Sequence, residues 1–331
     1  PPGLLRPRGP ASLRAAPEAE SYGASKQYPI GDRTNWYQIP FRVGSFSHLD
    51  QVLHARPIRR AAPASVLAHV ASEPPFRYQY AGESLTIDDY LARNPATGLI
   101  IVRDRTILVE RYQYARNDRH RLTSWSMAKT ATAMLVGIAV AEGHIRSVDD
   151  LAATYVPALA ESQVLGLLLT SAVGRSVAEY FGDKIWKPIG AEADASWLID
   201  RAGQEATWCC LNAVLRDYAR LALLLAHGGN WRGRQLIPAA WIEDATRLRP
   251  EQPHLLPGIA HPFAGYGYHV WINPPPRRTY SASGALGQWM FVDPVSRLVM
   301  VHTAVRKRAD DSGDRETNAL WRAVVQRFGA G

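Results

Sequence analysis

Ser126 and Lys129 stand three residues apart in "TSWSMAKTATAMLVGIAVAEGH", residues 123–144. Across residues 127–141 Lys129 is the only charged side chain. On a helix, positions i and i+3 share a face, so this hydroxyl and this ammonium can meet. Ser126 falls in the first turn, where free backbone N–H groups and the positive dipole end favour developing negative charge. The apolar surroundings, Ala128, Ala133 and Met134 among them, predict that Lys129 is buried. Burial disfavours the charged form of an amine, which suits it to accept a proton. A serine beside a desolvated lysine is one form of activated nucleophile. Ser-x-x-Lys alone is a frequent surface pattern. Here, however, the chain has only Lys26, Lys129, Lys184, Lys187 and Lys307, and it sets Lys129 in its least polar helix with no acidic neighbour.

The elements that must position this pair follow a simple order. With 331 residues, 47% of them hydrophobic, the chain can form one large domain or two modest ones. Up to about residue 76 it is rich in Pro, Arg and Ala, which reads as an extended arm wrapping a domain. We take residues 1–84 as that extension and 85–331 as the domain. "LTIDDYLARN" predicts a short helix, and "TGLIIVRDRTILVERYQY" a β-hairpin turning at Asp104-Arg105. The apolar helix follows, closed by Gly143. Helices are then expected in "RSVDDLAATYVPAL", on both sides of the Gly-Arg-Ser break in "QVLGLLLTSAVGRSVAEYFGDKIWKPIG", and in "IPAAWIEDATRL". Another is expected in "LNAVLRDYARLALLLAHGG", with Asn212 as its N-cap. Strands return in "YGYHVWI", "GQWMFVDP" and "RLVMVHTAV", before a terminal helix "ETNALWRAVVQRF". Strands at both ends predict an α+β fold: one antiparallel sheet (about 97–150 and 260–331) with a helical region (about 151–259) inserted.

Other chemistries are poorly supported. The net charge of +8 and isoelectric point near 9.6 invite a nucleic-acid reading. The arginines are nonetheless scattered, and no aromatic-and-basic stripe or finger spacing accompanies them. No apolar run reaches the roughly 18 residues of a membrane span. Cys209 and Cys210 are adjacent, close no useful loop, offer no zinc spacing, and read as buried apolar residues. No Gly-x-Ser-x-Gly or His-Glu-x-x-His is present, so no nucleophile elbow, metal or cofactor is expected. The chain opens without Met, for which a removed export leader is one explanation, and export is favoured over a cytoplasmic location on that ground.

Several collinear motifs resemble the serine β-lactamase and penicillin-binding superfamily. They are "SWSMAKT", "EGHIRSVDDLAATYVPAL", "RDYARLALLLAHGGNWRGRQLIPAAWI" and "YGYHVWINPPPRRTYSASGALGQWMFVDPVSRLVMV". The nearest branch is the class C-like group of esterases, D-amino-acid peptidases and 6-aminohexanoate-dimer hydrolases, and the resemblance runs from about residue 97 to the end. It implies the β-lactamase/transpeptidase-like fold, with Ser126 as nucleophile and Lys129 as base. The family's Lys-Thr-Gly triplet corresponds to Ala282, Ser283 and Gly284, ahead of Gly287 and Gln288, all expected to line the substrate site. The implied oxyanion hole is the N–H of Ser126 with that of Ala285. Ala282 cannot hold a carboxylate by charge, so the resemblance points to a small-molecule ester or amide with a less anionic acyl group. Trp289, Tyr266 and Tyr268 flank this region and could shape an acyl pocket or simply pack the sheet. His227 reads as a helix end and His302 as a strand residue.

The chain departs from the family before "QVLGLLL". A catalytic tyrosine belongs there, yet its place falls near Pro157, and several tens of residues have almost no counterpart. Either a segment is missing from the sequence near residues 158–162, which we favour because loops over active sites are the mobile ones, or the protein lacks it and is a non-catalytic binding or scaffold member. A true β-lactamase or D,D-peptidase is the other alternative. Tyr155 reads as part of the "YVPAL" turn. Oligomeric state is not readable from the sequence.

Overall fold

The computed structural model describes residues 16–150, 152, 155, 164–308 and 313–329. The first part of the chain forms two short helices, α1 (Ile39–Phe46) and α2 (Leu49–Val52), then strand β1 (Ala55–Ile58). Strand β2 (Ala68–His69) and the hairpin β3 (Tyr78–Tyr80) and β4 (Glu83–Leu85) lead to α3 (Ile87–Arg93). Thr86 starts α3 with a reciprocal cap: its hydroxyl accepts from the Asp89 N–H, and the Asp89 carboxylate accepts from the Thr86 N–H. Next come β5 (Ala96–Arg103) and β6 (Thr106–Tyr112), the expected hairpin, with Asp104 left-handed at its turn.

After β7 (Leu122–Thr123) a single 3-10 turn, Trp125–Met127, runs into α4 (Ala128–Ala141). Gly143, at φ +76°, ends that helix as expected. The Gly-Arg-Ser break separates α5 (Val164–Val173) from α6 (Val177–Phe181). Then follow β8 (Ala195–Leu198), β9 (Leu211–Ala213), α7 (Leu215–Ala226), the hairpin β10 (Asn230–Trp231) and β11 (Arg234–Gln235), and α8 (Ala239–Ala245). The late strands are β12 (Gly265–Tyr266), β13 (Trp271–Ile272), β14 (Tyr280–Gly284), β15 (Gln288–Asp293) and β16 (Leu298–Ala304), before α9 (Gly313–Phe328). The suspected junction near residues 158–162 and the expected tyrosine position near Pro157 lie outside the described residues.

The main sheet has the order β12-β13-β14-β15-β16-β5-β6-β2, antiparallel except for the parallel edge pair β6–β2. As the strand distribution predicts, β16 zips onto β5, with Met300 opposite Ile101 and Val301 opposite Ile100. One face of this sheet (Ile100, Val102, Val299, Val301) packs into the core that holds α4 and α7. The other (Leu99, Ile101, Phe291, Met300) meets Leu320, Trp321, Val324 and Phe328 of α9. Covered on both faces, β5 runs apolar from Gly98 to Val102 instead of alternating. A second sheet, β1-β8-β9-β7, carries the segment leading to Ser126.

Three expectations are corrected. Asn212 does not cap α7. It lies in β9 opposite Thr123 and Ser196, its amide donates to Ser196 Oγ at 3.3 Å, and Val214 precedes the helix instead. Cys209 and Cys210 are buried, as expected, but are disulfide-bonded to each other. Adjacent cysteines constrain no long loop, yet their ring fixes the local backbone, and Cys210 sits at φ +68°. The N-terminal stretch has more regular structure than an extended arm: Tyr22 Oη donates to the Val305 carbonyl at 2.7 Å, and Val43 and Phe46 of α1 pack with Tyr114, Leu286 and Val305. Helix α1 is hard to see in the sequence because it spans only eight residues and contains Gly44.

His302, on β16, is fully buried. The Gly287 carbonyl 2.7 Å from Nδ1 can only accept, so Nδ1 bears the proton and Nε2 accepts from Tyr90 Oη at 3.1 Å. Burial, with Arg306 nearby, pushes the imidazole pKa down to about 3 from 6.5. The unfolded chain gains a proton as pH falls through about 6.5, whereas the folded chain stays neutral until about 3. The stability that neutral His302 contributes is therefore complete above that upper value and is lost on acidification toward pH 3. The slope is about 1.4 kcal/mol per pH unit. Urea titrations of wild type and His302→Gln should show the wild-type advantage shrinking at about that rate below pH 6.5; parallel stability curves would contradict this account.

Candidate active site

Ser126 is held by its neighbours' backbone. The Ser124 N–H donates to the Leu211 carbonyl of β9 at 2.9 Å, and the Ser124 carbonyl accepts from the Met127 N–H at 3.2 Å. Tyr218, from α7, directs its hydroxyl between the carbonyls of Leu122 (2.7 Å) and Leu211 (2.6 Å), tying the ends of β7 and β9 to the core helix. Trp125 then takes a left-handed turn, φ +45°, which an L-residue adopts only when its surroundings hold it there. Ser126 follows, half-buried, in the 3-10 turn at the head of α4.

Strand β14 arrives against this turn. A Cβ on Gly284 would overlap the Ser124 carbonyl oxygen and lie 3.0 Å from the Ser126 nitrogen. Glycine is therefore required for the strand to come this close. Among the described residues, neither the Ser126 N–H nor the Ala285 N–H is engaged by another group. Ala285 and Trp125 pack on the same cluster, with Tyr22, Phe46 and Leu286. The sequence-predicted residues Ser126, Gly284 and Ala285 thus converge. Of the others, Ala282 is buried in the core and Ser283 is half-buried on the same strand. Gly287 and Gln288 do not face the site. The Gln288 amide is buried, donates to the Ala304 carbonyl at 2.7 Å and accepts from the Ala304 N–H at 3.1 Å, while Gly287, at φ +94°, packs against Arg306. Both shape the loop that presents Ala285. Trp289 stacks on Phe291 and donates to Asp314 on the α9 side, so it is no part of an acyl pocket.

Lys129 is half-buried, less than the apolar run suggests. Lys129, Ala133 and Val136 lie on one face of α4. Below the lysine that face opens on a cavity of ≈310 Å³, lined by Ala133, Val136, Leu165, Leu168, Trp241 and Tyr268. Among the described residues Lys129 has no hydrogen-bond or ion-pair partner. Next to it, Thr130 Oγ1 donates to the His269 carbonyl at 2.6 Å, fixing the loop that carries His269 to the cavity wall. Burial, together with the Lys129 charge, holds the His269 imidazole below its ordinary pKa. Tyr266 Oη lies 3.1 Å from His269 Nδ1. Tyr155 also borders the cavity, but its hydroxyl donates to Asp150 at 2.6 Å and accepts from the Arg146 N–H. Its N–H donates to the Ala152 carbonyl at 3.0 Å, and the rest of "YVPAL" lies outside the described residues. Trp241 lies flat on α4, where any Cβ on Gly137 would overlap its indole, and its ring N–H donates to the Ala133 carbonyl at 3.1 Å.

A family model described as Beta-lactamase matches residues 160–324. The 6-aminohexanoate-dimer hydrolase of Paenarthrobacter ureafaciens is 20% identical over 357 residues, covering 84% of this chain and 88% of that protein. A solved structure from Bacillus anthracis named for the same hydrolase superimposes with a TM-score of 0.80 at 18% identity, covering 89% of this chain and 97% of its own. A family VIII carboxylesterase gives 0.55 at 16% identity over 70% of this chain and 93% of its own. The chain has the β-lactamase-like fold, and the Beta-lactamase family model matches nearly half of its length. Its α+β architecture is the one the sequence motifs led us to expect. The family-model match includes residues 282–288 but begins after Ser126 and Lys129, so geometry and motif order carry the case for those two.

The sequence reading missed the support behind this site. Trp36 stacks on Trp125 at 6.1 Å, and Tyr37 and Phe46 pack edge-on against the same indole. The signal was the run of aromatic residues in an otherwise Pro- and Arg-rich segment. The close approach of β14 gives a direct test. Gly284→Ala must displace backbone, not a flexible side chain, and should lower stability by about 1–3 kcal/mol in urea unfolding. A variant as stable as wild type would show that the strand does not press on the Ser124–Ser126 backbone.

Proposed function

We propose that the chain is a serine hydrolase that cleaves an ester or amide bond through an acyl-enzyme on Ser126. The observation that carries this reading is the pressing of Gly284 onto the Ser126 nitrogen, which leaves two adjacent backbone N–H groups unengaged beside an unpaired Lys129. Ser126 Oγ attacks the substrate carbonyl while the amine of Lys129 takes the hydroxyl proton. The tetrahedral oxyanion accepts from the N–H groups of Ser126 and Ala285. Such fixed donors need no reorganisation as charge develops and are each worth roughly 3 kcal/mol in comparable sites. Collapse expels the alcohol or amine, which receives the proton from Lys129. Water then repeats the sequence on the acyl-serine and releases the acid. His269, neutral near pH 7, and Tyr266 belong to the cavity wall beside Lys129 and can carry the proton onward.

The cavity supports an aliphatic acyl group of modest length. Its walls are mainly apolar, Asp150 at its edge is already bonded to Tyr155 and Arg146, and Ala282 offers no charge to a substrate carboxylate. A linear aliphatic ester or amide fits this description.

Incubation with an alkyl fluorophosphonate, followed by peptide mass spectrometry, should place one adduct on Ser126. Ser126→Ala should take none and lose ester hydrolysis. Lys129→Gln should fold normally and lower kcat by about 10²-fold or more, the usual scale of a lost general base. Folded wild-type protein without adduct or turnover would support the non-catalytic alternative instead.

A further inference from the structure

The disulfide between Cys209 and Cys210 has no place in the chemistry above, yet it touches the turn that presents Ser126. The Cys210 N–H donates to the Trp125 carbonyl at 3.2 Å, and one residue on, the Leu211 carbonyl accepts from the Ser124 N–H at 2.9 Å. The two residues before Ser126 therefore take their register from Cys210 and Leu211. Cys210 is left-handed, φ +68°, and so is its partner Trp125, φ +45°. Neither is glycine, and an L-side chain leaves this region readily unless something retains it. Trp125 is retained by Trp36, Tyr37 and Phe46. Cys210 is retained by its bond to Cys209.

The surroundings fix the rest of this segment. Trp197 Nε1 donates to the Cys209 carbonyl at 2.9 Å, and the Leu198 N–H donates to the Cys210 carbonyl at 3.2 Å. Both sulfurs are buried with Leu49, Leu198 and Ala206, and Trp125 packs against that cluster. Neighbouring elements thus donate to both cysteine carbonyls. The Cys210 N–H lies in the same planar peptide as the Cys209 carbonyl and points opposite to it, and the left-handed φ of Cys210 sets the angle between that peptide and the one that carries the Cys210 carbonyl.

We propose that the Cys209–Cys210 disulfide is a positioning device for Ser126: by holding Cys210 left-handed it aims the N–H that fixes the Trp125 carbonyl and hence the nucleophile's turn. The inference rests on the reading of Ser126 as nucleophile. Reduction by a small thiol breaks the sulfur–sulfur bond with two electrons, leaves two cysteine thiols, and joins two reductant thiols as a disulfide. Cys210 is then free to leave the left-handed region, and the Ser126 turn loosens. Substrate binding in the cavity beside α4 is unaffected.

The test separates the bond from the backbone shape it enforces. Alkylation of the unreduced, denatured protein should find no free thiol. Cys209→Ala, which removes the bond but keeps a side chain at 210, should lower kcat for a p-nitrophenyl ester about tenfold with KM unchanged, the scale expected of a small misplacement of the nucleophile. Cys209→Ala/Cys210→Gly, which also lacks the bond but accepts φ +68° freely, should recover most of that loss and ignore added thiol. Wild type reduced under native conditions, with thiols counted by mass, should behave as Cys209→Ala and recover on reoxidation. Two free thiols in the purified protein, a Cys209→Ala kcat equal to wild type, or a double variant no better than the single one would each overturn the proposal. Normal Ser126 labelling with a redox-indifferent kcat overturns this inference alone, whereas no labelling of oxidised wild type overturns the nucleophile reading and this inference with it.

Discussion

The architecture turns on one close approach, that of Gly284 to the backbone of residues 124–126. Two segments more than 150 residues apart in sequence meet there with no side chain between them. For that contact to hold, each partner must be rigid. On one side, Ser124 is bonded to β9, and Tyr218 ties the ends of β7 and β9 to α7. On the other, buried Gln288 and His302 pin the loop after β14 through the main chain of Ala304 and Gly287. These buried polar groups are satisfied by backbone partners and, at His302 Nε2, by the Tyr90 hydroxyl, so they specify a loop shape without leaving an unmet hydrogen bond. The N-terminal segment closes the arrangement from outside, with Phe46 touching the cluster that contains both Leu286 and Trp125.

Lys129 draws its meaning from the same geometry. It stands at the head of α4, on the stripe that continues through Ala133 and Val136 into the cavity, with no anion bonded to it among the described residues. The charge balance of the neighbourhood is consistent with that. Asp150 is committed to Arg146 and Tyr155, and Asp244 to Tyr268 and Arg249. An amine left free of carboxylates can change protonation state during a reaction more readily than one locked in an ion pair. Trp241 and Tyr268, with ring centroids 5.1 Å apart, give the cavity an aromatic wall.

How much of this could be read from the chain depended on the kind of signal. The apolar α4 with its lone lysine, the hairpin at Asp104, the short helix in "LTIDDYLARN" and the Gly143 stop are local patterns, and each forms where its residues predict. Ser126, Gly284 and Ala285 were legible because their motifs stand in a recognisable order. Gln288 and Gly287 were misjudged because proximity to a motif says nothing about which way a buried amide points. Asn212 satisfies the composition rule for a helix cap, but strand pairing with Thr123 claims it first. The disulfide escaped notice because its effect is on one φ angle and not on a loop, and Phe46 and Trp36 because their partner Trp125 is some 80 residues away.

The most direct test of the account is a rapid-mixing measurement of p-nitrophenol release from p-nitrophenyl hexanoate by the intact, oxidised protein. An acyl-enzyme that forms faster than water removes it predicts an initial burst of one product per chain, followed by a slower linear phase, with both absent in Ser126→Ala. Release that is linear from the first turnover and unchanged by loss of the Ser126 hydroxyl would contradict it.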